Sequence, residues 1–240
     1  MLLECKNVIK TFGSISAVNN ISFEIKAGEI FGIAGPNGSG KTTLFNLITG
    51  VYTYTGSVIF NGKKISGLKP HAVCHQGIAR TFQIPHLFST LSVYDNIRAG
   101  AQFGNNGRKN PLQIIEEVIE FVGLQGKENT VAANLKLLDK KLTMMAVALA
   151  TNPKMLLLDE PMGGLSPKEI KLSIDMIKQV NEKKGITVII IEHFMKVLTE
   201  LSKRMMVLER GAEICLGPPR EVTQNKKVIE CYLGDNHVTG

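Results

Sequence analysis

The sequence predicts an α/β fold in which a parallel sheet is interrupted by a helical insertion, and three observations carry that expectation. Short β-type runs separated by glycine turns fill the N-terminal part of the chain. From about Ile84 to Asn152 the strand signals disappear. From Lys154 onward strand-like and helix-like segments alternate, the pattern that builds parallel sheets. A length of 240 residues fits one domain, or one domain with an insertion, rather than two independent cores.

Taken in order, Glu29 to Ala34 is an apolar run that ends in a glycine-rich turn, and Thr42 to Ile48 after it has helical character. Val58 to Ile65 forms two short runs around Asn61-Gly62, the dipeptide that supplies two positive-φ residues to a type I′ hairpin. In the middle stretch Asn110-Pro111 offers a helix cap and a first-turn proline. Apolar residues follow at Leu112, Ile115, Ile119 and Val122 before Gly123 stops the helix, and a second helix is expected over Lys140 to Ala150. Strands are expected at Met155 to Leu158, Ile186 to Ile191 and Met205 to Leu208. Ser166-Pro167-Lys168-Glu169 has the spacing of a capping box, with proline at the first position of a helix running to about Lys183.

Composition narrows the class. Apolar residues at 44% and charged residues at 20% exclude disordered and low-complexity chains. Lysine plus arginine number 28 against 21 acids, a net charge of +7 that fits nucleic acid, anionic lipid, phosphorylated ligands or a merely solvated basic surface. The basic residues come as scattered doublets, Lys63 and Lys64, Arg108 and Lys109, Lys140 and Lys141, Lys183 and Lys184, Lys226 and Lys227, without a run that would make a nucleic-acid arm. No nucleic-acid partner is expected. No apolar run approaches a membrane span and Met1 to Lys10 lacks the core of a signal peptide, so a soluble, cytosolic chain is expected. The four cysteines, Cys5, Cys74, Cys215 and Cys231, lack paired spacing and are expected as reduced thiols. His71, Cys74 and His75 cluster without a second ligand pair, so no metal site is expected there.

Gly35-Pro36-Asn37-Gly38-Ser39-Gly40-Lys41-Thr42 fits the phosphate-binding loop, placed between an apolar run and a helix as that loop requires. Glycines let backbone N–H groups turn inward around an anion and the helix N-terminus adds positive potential. Lys41 would reach the β- and γ-phosphates, and the Thr42 hydroxyl can ligate Mg²⁺. Met155-Leu156-Leu157-Leu158-Asp159-Glu160 is a buried-looking strand ending in two carboxylates. Asp159 can hold Mg²⁺ through water, and Glu160 can polarise the water that attacks the γ-phosphate. A pair of surface acids after a strand would read the same by itself.

With both motifs in hand the whole chain resembles the ATP-binding subunits of ABC transporters, and within them the branched-chain amino-acid importer type. Ala79-Arg80-Thr81-Phe82-Gln83 is similar to the family's Q-loop, and Leu87 to Gly100 to the stretch after it. Ile191-Glu192-His193 resembles the switch-histidine region, and Val228 to Gly234 this subtype's C-terminal tail. The resemblance implies a P-loop NTPase fold: a RecA-like core with an N-terminal antiparallel β-subdomain, spanning 1–83 and 153–240, plus an inserted α-helical signature subdomain, 84–152. It implies that ATP is held by Phe12, Gly35, Pro36, Asn37, Gly38, Ser39, Gly40, Lys41, Thr42, Thr43 and Asp159, with Thr42, Gln83 and Asp159 on Mg²⁺. It implies catalytic roles for Glu160, His193 and Gln83. Phe12 would stack on adenine, though a phenylalanine there could instead be core, and a lone histidine after a strand is more often structural. Membrane-spanning permease subunits are the implied partners, Ile84 to Arg98 facing their coupling helix, with the chain peripheral on the cytoplasmic face of the membrane.

One motif departs from the family. Where Leu-Ser-Gly-Gly-Gln is expected, this chain has Leu135-Lys136-Leu137-Leu138-Asp139, with both glycines gone. Val147 stands where this subtype commonly has arginine, and Ser166 at a D-loop position usually held by an acid or amide. In the family one subunit's signature contacts the γ-phosphate held by the other subunit. Leu137 and Leu138 would obstruct that backbone approach and Asp139 would add a like charge. A heterodimer with a second ATPase subunit is therefore expected. The competing expectations are a regulatory or scaffold module that binds ATP with little hydrolysis, or the ATPase of a urea or lipid transport system.

Overall fold

The computed structural model describes residues 1–104 and 110–234. The Arg108 and Lys109 doublet and the last six positions of the expected core segment lie outside the described residues. In chain order the elements are β1 (Leu3–Phe12), β2 (Ile15–Ile25), β3 (Ile30–Ala34), α1 (Lys41–Ile48), β4 (Thr55–Phe60), β5 (Lys63–Lys64), α2 (Pro70–Gln76), β6 (Ile78–Arg80) and α3 (Val93–Ala99). They continue with α4 (Pro111–Val122), α5 (Leu137–Ala150), β7 (Met155–Asp159), α6 (Pro167–Lys184), β8 (Thr187–Ile191), α7 (Met195–Leu201), β9 (Arg204–Glu209), β10 (Ala212–Gly217), α8 (Pro219–Gln224) and α9 (Lys226–Gly234). The chain divides into two compact units, Met1–Pro70 with Thr187–Gly240, and His71–Ile186.

The first unit holds an antiparallel sheet in the order β2-β1-β4-β5. Leu3 and Cys5 alternate inward opposite Ile25 and Phe23 of β2, and after a register shift, with Asn7 at φ 48°, Val8 takes the next buried position opposite Ile21. Asn61 and Gly62 both take positive φ, 49° and 76°, between β4 and β5, as a type I′ turn requires. The same unit carries β10-β9-β3-β8, in which β3 runs parallel to both β8 and β9. All five residues of β3 and of β8 are buried, which is why these strands read as continuous apolar runs rather than alternating ones.

The second unit pairs β6 with β7 in parallel, Ile78 beside Met155 and Arg80 beside Leu157. Ser92 caps α3 by accepting from the Asp95 N–H. The buried Asn96 amide bonds the Phe88 N–H and the Phe88, Leu91 and Ser92 carbonyls, which fastens the preceding loop to that helix. Asn110 caps α4 and Gly123 ends it in the left-handed region, as expected from the sequence. Two expectations need correction. Leu112 is 59% exposed; the buried stripe of α4 is Ile114, Ile115, Val118, Ile119 and Val122, so the buried face begins two residues after the first apolar one. And α5 starts at Leu137, not Lys140, so the altered signature forms its first turn. No helix among the described residues is long and apolar enough to cross a membrane. No disulfide joins any of the four cysteines, and burial pushes the Cys5 thiol far above its ordinary value.

Candidate functional site

In the first unit the phosphate loop leaves β3 at Ala34 and enters α1 at Lys41. Its backbone requires glycine at two positions above all. Gly35 has φ +145° and a Cβ there would lie 2.2 Å from the Leu208 carbonyl oxygen; Gly40 has φ +101° and a Cβ would lie 2.2 Å from the Ala17 carbonyl oxygen. A Gly40→Ala chain is therefore expected to melt at least about 2–4 °C lower, since each kcal/mol of such strain shifts a domain of this size by about that much. An unchanged thermal midpoint would contradict this reading.

Lys41 is only 5% exposed, and its ammonium donates to the Gly35 carbonyl at 2.7 Å and the Pro36 carbonyl at 2.9 Å. The cation thus lies folded into the loop at the start of a helix, whose first N–H groups have no acceptor within the helix itself. Ser39 Oγ is buried in the same loop with no hydrogen-bond partner. A buried cation, a helix start and an orphaned hydroxyl form a donor set that fits a phosphate group. Gly35 N–H donates to the Tyr232 hydroxyl at 2.8 Å.

Phe12 ends β1 with 44% of its surface exposed, so it is not a core residue. Its ring meets Tyr52 edge-on at 5.3 Å, and the Lys10 ammonium lies 5.0 Å from its centroid. His193 stands two residues beyond β8 and is half-buried.

In the second unit Asp159 ends β7, and its Oδ2 accepts from Arg80 Nη2 at 2.6 Å; the two side chains are 4% and 7% exposed. Pairing is what makes burial of either charge tolerable. Glu160 follows with φ +46°, a left-handed conformation that a residue with a side chain adopts only at a cost of about 1 kcal/mol or more. Gln83 Nε2 donates to Glu160 Oε2. Lys141, buried on α5, reaches the main-chain carbonyls of Gln83 and Glu160 at 3.5 and 3.3 Å and so links the two residues from behind.

The altered signature lies in this unit too. Lys136 occupies the N-cap of α5 and makes no side-chain capping bond, whereas a serine there could accept one. Leu137 is exposed, and Asp139 pairs with Lys127 at 2.7 Å. Ser166, at the D-loop position, is occupied in a capping box: its N–H and hydroxyl both donate to Glu169, which holds that carboxyl below its ordinary value.

The expected site residues therefore fall into two sets, Phe12, Gly35 to Thr43 and His193 in the first unit and Gln83, Asp159 and Glu160 in the second. Three residues to which the sequence assigned no role stand among them: Arg80, Lys141 and Tyr232. Arg80 adjoins Asp159 through strand register, and Lys141 and Tyr232 have no local signal. Among the described residues no group of three or more His, Cys, Asp or Glu is placed to hold a metal ion. In the His71 and Cys74 cluster, His75 Nε2 lies 2.9 Å from the Phe103 carbonyl oxygen.

Comparison with known proteins agrees with this chemistry. The sequence profile of the ABC transporter family matches residues 18–163. A curated relative in Salmonella typhimurium, the high-affinity branched-chain amino acid transport ATP-binding protein LivG, is 34% identical over 98% of each chain. A crystal structure of an ATP-binding cassette of an ABC transporter in its ADP conformation superposes with a TM-score of 0.87, at 31% identity, over 97% of this chain and 98% of that one. A cassette solved as a dimer in a post-hydrolysis state, bound to ADP and Pi, gives a TM-score of 0.81 at 27% identity over 91% of this chain and 99% of that one. With the loop, the strand-end carboxylates and these likenesses together, the chain belongs to the ABC transporter family, as one of its ATP-hydrolysing cassettes.

Proposed function

We propose that the chain powers an importer of branched-chain amino acids, binding and hydrolysing ATP as a peripheral subunit on the cytoplasmic face of the membrane. The observation that carries the ATP half of this reading is Lys41, folded onto the Gly35 and Pro36 carbonyls beside the unpartnered Ser39 hydroxyl. The cargo rests on the branched-chain relatives.

In this reading the loop from Gly35 to Thr43 binds the phosphates and Phe12 offers its exposed face to adenine. Glu160 takes the proton of the attacking water, Gln83 orients that carboxylate, and His193 contacts the γ-phosphate. Thr42, Gln83 and Asp159 would supply the oxygen ligands that Mg²⁺ takes, and the ion would supply positive charge against the phosphates. Residues 84–152 act as the helical signature subdomain. Ile84 is 71% and Phe88 63% exposed, with Phe82 and Leu91 also exposed, an apolar surface suited to a permease coupling helix.

The first turn of α5 supports a heterodimer, because Leu137, Leu138 and the Asp139–Lys127 pair replace the small, neutral signature of an active partner face. The test is phosphate release by the purified chain, alone and after addition of a second ATPase subunit with an intact signature. A rise of roughly tenfold or more is expected. Brisk turnover by the chain alone would overturn the heterodimer. The altered signature also favours a second reading, an ATP-binding module with little hydrolysis, which predicts no turnover in either case.

A further inference from the structure

The C-terminal helix reaches the phosphate loop through one side chain. β3 ends at Ala34, so the N–H of Gly35, a buried residue, has left the sheet ladder and needs another acceptor. Tyr232 provides it at 2.8 Å, from 197 positions further along the chain. The carbonyl of the same residue accepts the Lys41 ammonium at 2.7 Å. One residue is therefore held through its N–H by α9 and itself holds the phosphate-binding cation through its carbonyl, the two peptide groups meeting at the Gly35 Cα. The buried side chains of Val228 and Cys231 seat α9. Tyr232 also borders an apolar pocket of about 310 Å³ with Met195, Thr223, Val228 and Ile229.

We propose that Tyr232 is a positioning residue for ATP binding, setting the backbone of Gly35 and through its adjoining carbonyl Lys41, an inference that rests on the ATPase reading of the loop. In the nucleotide-free chain without the hydroxyl, Gly35 gains alternative conformations, and ATP must reorder the loop on arrival.

The experiment compares wild type with Tyr232→Phe, which keeps the ring and deletes the hydroxyl that accepts from Gly35. ATP affinity, measured by titration on folded protein, is expected to weaken about 3- to 10-fold. Amide hydrogen exchange at Gly35 is expected to quicken in the nucleotide-free protein. Val228→Ala serves as the second variant: it loosens α9 but keeps the hydroxyl, and is expected to lower the thermal midpoint with a smaller change in affinity. A Tyr232→Phe chain that binds ATP as tightly as wild type, whether or not its midpoint falls, overturns the proposal. If wild type itself binds no ATP, the ATPase reading fails instead, and unaltered Gly35 exchange in Tyr232→Phe would still overturn the tether by itself.

Discussion

Replacing Glu160 with glutamine is expected to cut phosphate release by about 10²- to 10⁴-fold while ATP still binds. The substitution preserves shape and leaves a carbonyl oxygen to accept from Gln83 Nε2, so the local geometry survives. What disappears is the basic oxygen that could accept a proton from water. The main chain is held independently of the side chain, by Lys141 and by the Gly163 N–H on the Glu160 carbonyl, which argues against a folding defect. The measurement is single-turnover phosphate release beside nucleotide affinity, made with the second ATPase subunit present. Hydrolysis at the wild-type rate in Glu160→Gln would remove Glu160 from the chemistry. A wild-type chain that releases no phosphate under the same conditions would favour the regulatory reading.

Rebuilding the first turn of α5 as a family signature, K136S/L137G/L138G/D139Q, is expected to raise turnover by the chain alone about 10²-fold or more, the size of effect attached to one well-placed donor at a phosphoryl or oxyanion centre. Each glycine costs the helix about 1 kcal/mol, and removing Asp139 breaks its pair with Lys127. The Lys127 pair is half-exposed on one side and contributes little to stability. Gain of turnover despite a lower thermal midpoint would isolate the signature as the missing element. No gain in a folded variant would mean that a different feature limits the isolated chain.

What could be read before the structure was local. Asn61-Gly62, Asn110-Pro111, Gly123 and the Ser166–Glu169 capping box each act through bonds within a few residues, and each forms as the sequence indicates. The phosphate loop was legible for the same reason, since its glycines, lysine and threonine are contiguous. The sequence places the start of α5 three residues late, at Lys140, whereas Leu137 to Asp139, with the family's glycines gone, join the helix as its first turn. Leu112 was misplaced because periodicity gives spacing without saying which turn first meets the core. The contacts of Arg80 with Asp159, across 79 positions, and of Tyr232 with Gly35, across 197, depend on register and on how distant elements meet. No window of sequence contains them.

The seating of Lys41 has a thermodynamic consequence for every catalytic cycle. An ammonium in water carries a tightly held hydration shell, and a site that had to strip it on each encounter would lose binding energy each time. Here folding has already buried the ammonium, and the Gly35 and Pro36 carbonyl oxygens are among the groups that stand in for water. Most of the dehydration of the cation is therefore settled once, when the chain folds, and an arriving anion meets a charge already withdrawn from bulk water.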